Sequence, residues 1–300
     1  VIVGNKKTFD MVEGFYGVGG ERYVVGEGDF LALGHHKLRF SLIPMVHWPE
    51  TMVTYDETEG ILFSGDAFGC FGALNGGVID ANINTDIYWD EMVRYYSNIV
   101  GKYGAPVQKA LQKLQTLKIN AICSTHGPVW TEEIPRVVRI YDRLSRYEAE
   151  EGVVIAYGTM YGNTAEMAEA IAEELSKQGI RNIVMHNVSH TNHSYIIADV
   201  FKYRGLIVGC PTYNTQMYPE MEALLNKLSA REIKGRYMGW FGSFTWASAA
   251  VKKITEFNDK LKFEPVGNPI EMKHSMKSET YVQCKELAKA MADRLKADRK

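Results

Sequence analysis

The chain has 300 residues, of which 46% are hydrophobic and 23% charged, and its formal net charge is −2. This composition is typical of a globular protein, and the length favours two domains. The near-neutral charge gives no electrostatic reason to expect a nucleic acid or an anionic membrane as a partner. The apolar runs are also too short to span a bilayer.

The four cysteines are widely spaced and form no C-x-x-C pair; they are Cys70, Cys123, Cys210 and Cys284. This spacing argues against a disulfide scaffold, a zinc ribbon and a rubredoxin-type centre. We therefore expect a reducing, cytoplasmic location.

The first half of the chain has the pattern of an α plus β domain. Residues 1–5 predict a strand that begins abruptly, so we expect the sequence to start partway through a domain. Further β-like segments and then helical patterns follow along the chain. The predicted strands are 22–25, 37–43, 52–55 and 60–64, and the predicted helices are 88–100, 107–117 and 135–147.

Three candidate metal ligands follow β-like segments of this half. They are His47 in P-M-V-H-W-P-E, Asp66 in F-S-G-D-A-F and His126 in S-T-H-G-P. Imidazole nitrogens and a carboxylate that can bridge two ions are suitable ligands for first-row metals. A single loop histidine or aspartate is more often structural, but the ordered set favours a metal site.

Four other histidines give no such signal. His35 and His36 lie in a polar turn, and His190 and His193 lie in a loop of the second half. Because no carboxylate or cysteine stands at metal-ligand spacing from them, we expect all four to be solvated.

A domain boundary is predicted near residue 150. Residues 140–151 are the charged end of a helix, Gly152 stops it, and the strongly apolar run 153–157 follows. A change from polar to apolar sequence after a helix-stopping glycine is typical of a boundary. The predicted domains are 1–150 and 151–300.

The second half alternates short apolar runs with helical patterns. The runs are 153–157, 183–185, 205–209, 237–242 and a weaker one near 264–266. Strands that are apolar throughout and alternate with helices predict a five-stranded parallel sheet covered on both faces.

Three polar loops follow the first, third and fourth of these strands: 158–164, 209–214 and 242–246. Ligands of parallel α/β sheets bind beyond the carboxyl ends of the strands. The first loop also leads into a helix, whose N-terminus favours a phosphate group. The loop contains neither a Walker lysine nor G-x-G-x-x-G, which disfavours nucleoside triphosphates and dinucleotides.

Each of the other two loops carries an aromatic residue, Tyr213 or Trp246, beside small polar residues. Two aromatic rings at one edge of a sheet can flank a planar ring system. The alternative is that they are half-buried caps of the strands. Three such loops at successive carboxyl ends favour the ligand site.

Together the loops T-M-Y-G-N-T, P-T-Y-N and G-S-F-x-W resemble those of flavodoxins, and most closely the flavodoxin module of flavodiiron proteins. The resemblance implies a flavodoxin-like doubly wound domain that binds FMN, with the phosphate on 159–164 and the isoalloxazine ring near Tyr213 and Trp246. The stretch after Ser243 is poorer in glycine than expected for the family. The implied cofactor-binding residues are Thr159, Met160, Tyr161, Gly162, Asn163, Thr164, Pro211, Thr212, Tyr213, Asn214, Ser243, Phe244, Thr245 and Trp246.

The motifs of the first half resemble the C-terminal portion of a metallo-β-lactamase-like αββα sandwich, in its flavodiiron form. The resemblance implies that His47, Asp66 and His126 are iron ligands and that Asp66 bridges two irons. It also implies an earlier H-x-E-x-D motif, which this sequence lacks. A truncated chain, an incompletely recorded one and a natural split with a separate N-terminal fragment all remain open.

By this resemblance the protein is a flavodiiron oxidoreductase. FMN receives electrons from rubredoxin or from a flavin or NADH reductase, and a non-haem site of two irons reduces dioxygen to water or nitric oxide to nitrous oxide. A head-to-tail homodimer or a tetramer is expected. Two alternatives remain: an FMN electron-transfer module without a working metal site, and a zinc hydrolase that carries a flavodoxin.

Overall fold

The strand-forming segments of this chain are continuous apolar runs in its second half and shorter, mixed ones in its first half. The computed structural model describes residues 1–17 and 19–299. Its contacts divide the chain into two units, Val1–Arg146 and Tyr147–Lys300. The boundary proposed from the sequence, between residues 150 and 151, lies inside the first strand of the second unit.

The first unit contains seven strands among the described residues: β1 Ile2–Gly4, β2 Arg22–Val24, β3 Phe30–Leu33, β4 His36–Leu42, β5 Met52–Asp56, β6 Ile61–Gly65 and β7 Ala121–Ser124. Its helices are α1 Lys6–Tyr16, α2 Asp86–Tyr95, which continues as a π-helical turn over Tyr96–Val100, α3 Gly104–Leu114 and α4 Ile134–Ser145. Helix α1 and strand β3 were not predicted from the sequence.

Strands β3 to β7 form one sheet in that order, antiparallel except for the parallel pair β6–β7. One face of the sheet is covered, since Val53, Leu62 and Ile122 are fully buried. The opposite face leaves Leu33 and Phe63 about half exposed, at 53% and 48%. Alternate residues of a strand point to opposite faces, which explains the contrast between neighbours such as Leu62 and Phe63.

Two of these histidines have partners that the sequence did not indicate. His36 is exposed, as expected, whereas the expectation of a solvated side chain is wrong for His193. His36 begins β4, and its Nδ1 lies 2.7 Å from Oδ2 of Asp56 on the neighbouring strand. His193 begins a helix of the second unit and is buried, with Nδ1 3.1 Å from Nζ of Lys227. Both partners are distant in sequence, so local spacing did not reveal them.

The second unit contains six strands among the described residues: β8 Glu150–Tyr157, β9 Ile183–Asn187, β10 Tyr203–Pro211, β11 Tyr237–Phe244, β12 Glu264–Pro265 and β13 Ile270–Lys273. Its helices are α5 Asn163–Lys177, α6 His193–Lys202, α7 Pro219–Ser229, α8 Ala250–Leu261 and α9 Ser278–Ala297.

These strands form a parallel sheet in the order β9, β8, β10, β11, with β12 and β13 both paired to the outer side of β11. The predicted fifth strand is thus divided into β12 and β13. Between them the chain turns at Gly267, whose φ is 69°, and Pro265 has no N–H to continue the strand pairing. Both faces are covered, as expected: Ile155 and Ile207 contact α5 and α9, and their neighbour Leu206 is also fully buried. Among the described residues no helix is long and apolar enough to cross a membrane.

Candidate functional site

A cleft opens at the carboxyl ends of β8, β10, β11 and β13. Its volume is ≈ 270 Å³. The described residues that line it are Thr159, Met160, Tyr161, Asn163, Thr164, Pro211, Thr212, Asn214, Thr215, Ser243, Phe244, Thr245, Trp246, Ala247 and His274.

The N-terminus of α5 forms one end of this cleft. Gly162 is the N-cap residue at φ 90°, a conformation that side chains rarely adopt, and it has no side chain that could bond the first helical N–H groups. Its own N–H donates to Oγ1 of Thr159 at 3.1 Å. Free N–H groups and the helix dipole together make this end suitable for an anion such as phosphate.

Two hydroxyl groups tie the loops to each other. The hydroxyl of Thr164 lies 2.8 Å from that of Ser243 in a buried hydrogen bond, which joins the start of α5 to the end of β11. Oγ1 of Thr212 accepts the backbone N–H groups of Ala249 and Ala250 at 3.0 and 3.1 Å and so caps α8. The lining of the cleft is therefore held in place by the protein itself.

Of the two aromatic residues predicted to flank the ring system, Trp246 borders the cleft and Tyr213 does not. Trp246 and Tyr161 border the cleft and are 88% and 87% exposed. Tyr213 packs edge-on against Tyr218 at 6.4 Å and is not among the lining residues that the structure describes. The chain turns at Asn214 and Thr215, both at positive φ, and these two residues face the cleft instead.

The structure thus brings twelve of the fourteen sequence-predicted residues into one cleft and leaves out Gly162 and Tyr213. It adds Thr215, Ala247 and His274, which sequence reasoning missed. The sequence offers one indication that His274 belongs to the cleft: the residue directly follows a strand that ends at the same edge of the sheet. That strand is short and its run only weakly apolar.

Cys210 lies next to the lining residue Pro211 and is fully buried. Burial raises the pKa of its thiol to about 12, so the group stays neutral. A neutral buried thiol is a packing residue and not a nucleophile in this cleft.

The three candidate metal ligands of the first unit lie together. Oδ2 of Asp66 is 3.1 Å from Nε2 of His47, and Oδ1 is 3.5 Å from Nε2 of His126. The carboxylate therefore presents one oxygen to each imidazole. Thr125 donates its hydroxyl to Oδ1 of Asp66 at 2.7 Å, which fixes the orientation of the carboxylate.

Tyr95 covers one side of this cluster, its ring centroid 5.5 Å from that of His126. Burial, together with the charge of Asp66, raises the pKa of the Tyr95 hydroxyl well above its usual range, so the phenol stays protonated. Its oxygen is buried without a hydrogen-bond partner among the described residues.

The donor set fits part of a two-metal centre. Two imidazoles on either side of one carboxylate supply N and O donors suitable for iron. Three donors are fewer than two ions need, and in residues 1–17 and 19–299 no group of three or more His, Cys, Asp or Glu side chains is arranged to hold a metal ion by itself.

Comparison with known proteins links both halves to one family. A family model described as "Flavodoxin" matches residues 155–296, and one described as "ODP family beta lactamase" matches residues 6–127. The flavodiiron protein of Giardia intestinalis superposes with a TM-score of 0.94 at 26% identity, over 98% of this chain and 73% of that one. The chain belongs to the flavodiiron proteins.

Other proteins are similar over most of this chain. An uncharacterised protein of Methanocaldococcus jannaschii is 32% identical over 271 residues, 90% of this chain and 68% of that protein. The nitric oxide reductase of Moorella thermoacetica is 29% identical over 97% of this chain and 73% of its own length. The rubredoxin oxygen:oxidoreductase of Desulfovibrio gigas superposes with a TM-score of 0.94 at 26% identity, over 99% of this chain and 75% of that one.

Proposed function

We propose that this flavodiiron protein is an oxidoreductase in which FMN relays electrons to a non-haem diiron site that reduces dioxygen to water, nitric oxide to nitrous oxide, or both. One observation carries the proposal: the same chain holds a preformed cleft at a helix N-terminus and a carboxylate between two imidazoles. The first suits a flavin phosphate and the second suits iron.

In the cleft, the chain's residues bind and orient the flavin. FMN, when bound, accepts electron pairs and releases single electrons, which is the chemistry a relay requires. The N-terminus of α5 would receive the phosphate, and the loops that follow β10 and β11 would border the ring. Trp246 covers an exposed side of the cleft, where its indole can stack on the isoalloxazine.

At the metal-ligand cluster, His47, Asp66 and His126 would hold the iron, which would supply redox chemistry and substrate binding. Thr125 keeps the Asp66 carboxylate in one orientation, so both oxygens stay available to metal. Neutral Tyr95 offers a hydroxyl proton beside the site and adds no charge.

The relatives' names support both substrates, since one is a nitric oxide reductase and another a rubredoxin oxygen:oxidoreductase. We therefore propose rubredoxin, or a flavin or NADH reductase, as the electron donor, and a head-to-tail dimer or a tetramer as the assembly. The free cysteines support a reducing, cytoplasmic location. The domain limits 1–150 and 151–300 remain part of the proposal, with the functional boundary four residues beyond the division of the two units after Arg146.

A second candidate, an FMN electron-transfer module, is favoured by one observation. The flavin cleft is preformed, whereas the metal cluster supplies only three donors. Such a module would bind FMN and exchange electrons without consuming either gas.

The test combines composition with turnover. The purified protein is analysed for FMN and metal, then photoreduced and supplied with dioxygen or nitric oxide. About one FMN and two irons per chain, with gas consumption, are expected. FMN without metal indicates the electron-transfer module, zinc indicates the hydrolase, and full iron loading without gas consumption contradicts the proposal.

A further inference from the structure

His274 enters the flavin cleft from a strand that the sequence motifs did not include. It directly follows β13, it is one of the residues that line the cleft, and it is exposed. Its backbone N–H donates to the carbonyl of Phe244 at 2.9 Å, and its φ is 69°. This left-handed turn and the hydrogen bond fix the residue against the end of β11.

The cleft contains little positive charge for an anionic cofactor. Of the described residues that line it, His274 is the single one that can carry a positive charge, because no lysine or arginine is present. FMN brings a phosphate, so any cation beside it is stabilising.

The charged residues on the elements packed around His274 lie outside the cleft lining. Glu271 and Lys273 of β13 and Lys277 before α9 are exposed, and Glu271 accepts the hydroxyl of Ser248. Glu166 in the first turn of α5 is also absent from the lining. The imidazole itself makes no hydrogen bond or ion pair within the described chain.

A short series of contacts connects His274 to the phosphate end of the cleft. Thr164, in the first turn of α5, bonds Ser243 at 2.8 Å. Ser243 precedes Phe244, whose carbonyl accepts the N–H of His274. The backbone of His274 and the first turn of α5 therefore contact neighbouring residues of β11.

We propose that His274 binds the phosphate of FMN and makes the affinity for FMN depend on pH. The inference rests on the FMN site of the proposed function and adds a ligand from the fifth strand. An imidazole changes charge between about pH 5 and pH 8, and only its protonated form pairs with the phosphate dianion. The affinity for riboflavin, which lacks the phosphate, should not depend on this residue.

The experiment measures the dissociation constants of FMN and riboflavin by flavin fluorescence at about pH 6.5 and about pH 8.5. The variants are His274→Asn, which tolerates positive φ, His274→Lys, which keeps a positive charge at both pH values, and His190→Asn as a control. His190 lies in an exposed loop after β9, outside the cleft lining.

We expect His274→Asn to weaken FMN binding about fivefold at the lower pH and less than about twofold at the higher. His274→Lys should bind FMN equally well at both, and His190→Asn should match the wild type. If His274→Asn lost the same affinity for FMN and for riboflavin, His274 would lie at the ring, and the inference would be overturned. An unchanged FMN affinity of His274→Asn would also overturn it. Failure of the wild type to bind FMN would instead overturn the proposed function.

Discussion

At the scale of single residues, the cleft depends on a backbone shape that only some residues adopt easily. Gly162 sits at φ 90° with open space around its α-carbon, so an added methyl group would meet no neighbour. Its role is therefore conformational. The left-handed turn directs the N–H groups at the start of α5 towards the cleft.

Substituting Gly162→Ala should lower the free energy of unfolding by about 1 kcal/mol, since alanine is strained at positive φ. It should also weaken FMN binding, because relief of the strain moves the α5 N-terminus. Gly179→Ala is the matched control: Gly179 has φ 81° and open space too, but lies beyond the other end of α5. In urea unfolding, both variants should lose a similar free energy of unfolding. Equal FMN affinities of the two variants would contradict this role of Gly162.

The sequence predicted the positions of the metal-ligand residues better than that of Tyr213 in the flavin cleft. His47, Asp66 and His126 follow strands in recognisable motifs, and the structure brings them together. The place of Tyr213 was not predictable, because a tight turn at Asn214 moves its ring towards Tyr218. Such a turn depends on the geometry of the loop and has no marker as strong as an Asn-Gly pair.

At the scale of elements, the turn that leads into α4 is held by a residue about fifty positions earlier. The buried carboxylate of Asp80 accepts the backbone N–H groups of Thr131, Glu132 and Glu133 at 2.9 to 3.0 Å, and also the hydroxyl of Thr131. Burial alone would raise the pKa of Asp80, but these hydrogen bonds outweigh it and leave the pKa below its ordinary value. The ionised form is thus stabilised in the folded protein.

Asp80→Asn should therefore lower the free energy of unfolding by about 2 kcal/mol at neutral pH. Since the folded pKa is lowered, the charge contributes fully above the ordinary pKa of an aspartate and is lost as the pH falls through the folded value. The difference from wild type should shrink below about pH 4. Asp86→Asn, an exposed aspartate in the first turn of α2, is the control and should change stability little; a constant Asp80→Asn difference across pH would contradict this role.

Arg236 plays a similar structural role in the second unit. The residue is 1% exposed, and its guanidinium donates to the carbonyls of Val200, Phe201 and Tyr147 at 2.7 to 2.9 Å. The first two carbonyls belong to the last turn of α6, where helices leave acceptors unsatisfied. Burial and nearby Arg204 lower the pKa of Arg236 to about 9.

Arg236→Met should destabilise the protein by about 3 kcal/mol, because it leaves several buried carbonyls without donors. Chemical unfolding followed by tryptophan fluorescence would measure this loss. Arg181→Met removes an exposed arginine and should stay within about 0.5 kcal/mol of wild type. Equal effects of the two substitutions would show that the carbonyl contacts contribute nothing.

Elements were predictable where one pattern dominated. The strands β8, β10 and β11 are apolar on both faces, and their predicted positions match the structure to within a few residues. Helix α1 was missed because it contains a glycine and buries only Phe9. The sequence pattern predicts the split fifth strand as a single, weakly apolar run, because β12 has just two residues.

At the scale of the whole molecule, the first unit exposes apolar side chains on one sheet face. Phe63 is 48% exposed on β6, beside partly buried neighbours such as Ile61. An apolar sheet face in water favours association. The same alternation that buries Leu62 leaves Phe63 in solvent, so its exposure follows from the period of the strand.

Phe63→Thr should reduce concentration-dependent association in sedimentation velocity and change the free energy of unfolding by less than about 0.5 kcal/mol. Threonine keeps the preference for a strand while removing the ring. Met185→Thr is the control, since Met185 is a 37% exposed apolar residue on β9 of the other unit. Unchanged association of Phe63→Thr would show that this face is not responsible.

In the proposed function, electrons of the flavin reach the gas through the cluster around Asp66. This electron path is tested by photoreducing the iron-loaded FMN protein, mixing it with nitric oxide without oxygen, and following flavin reoxidation by absorbance. We expect rapid reoxidation in the wild type and in the control Asp86→Ala. The rate should be at least about tenfold lower in Asp66→Ala, which loses the carboxylate between the two histidines. Equal rates in Asp66→Ala and wild type would contradict this path.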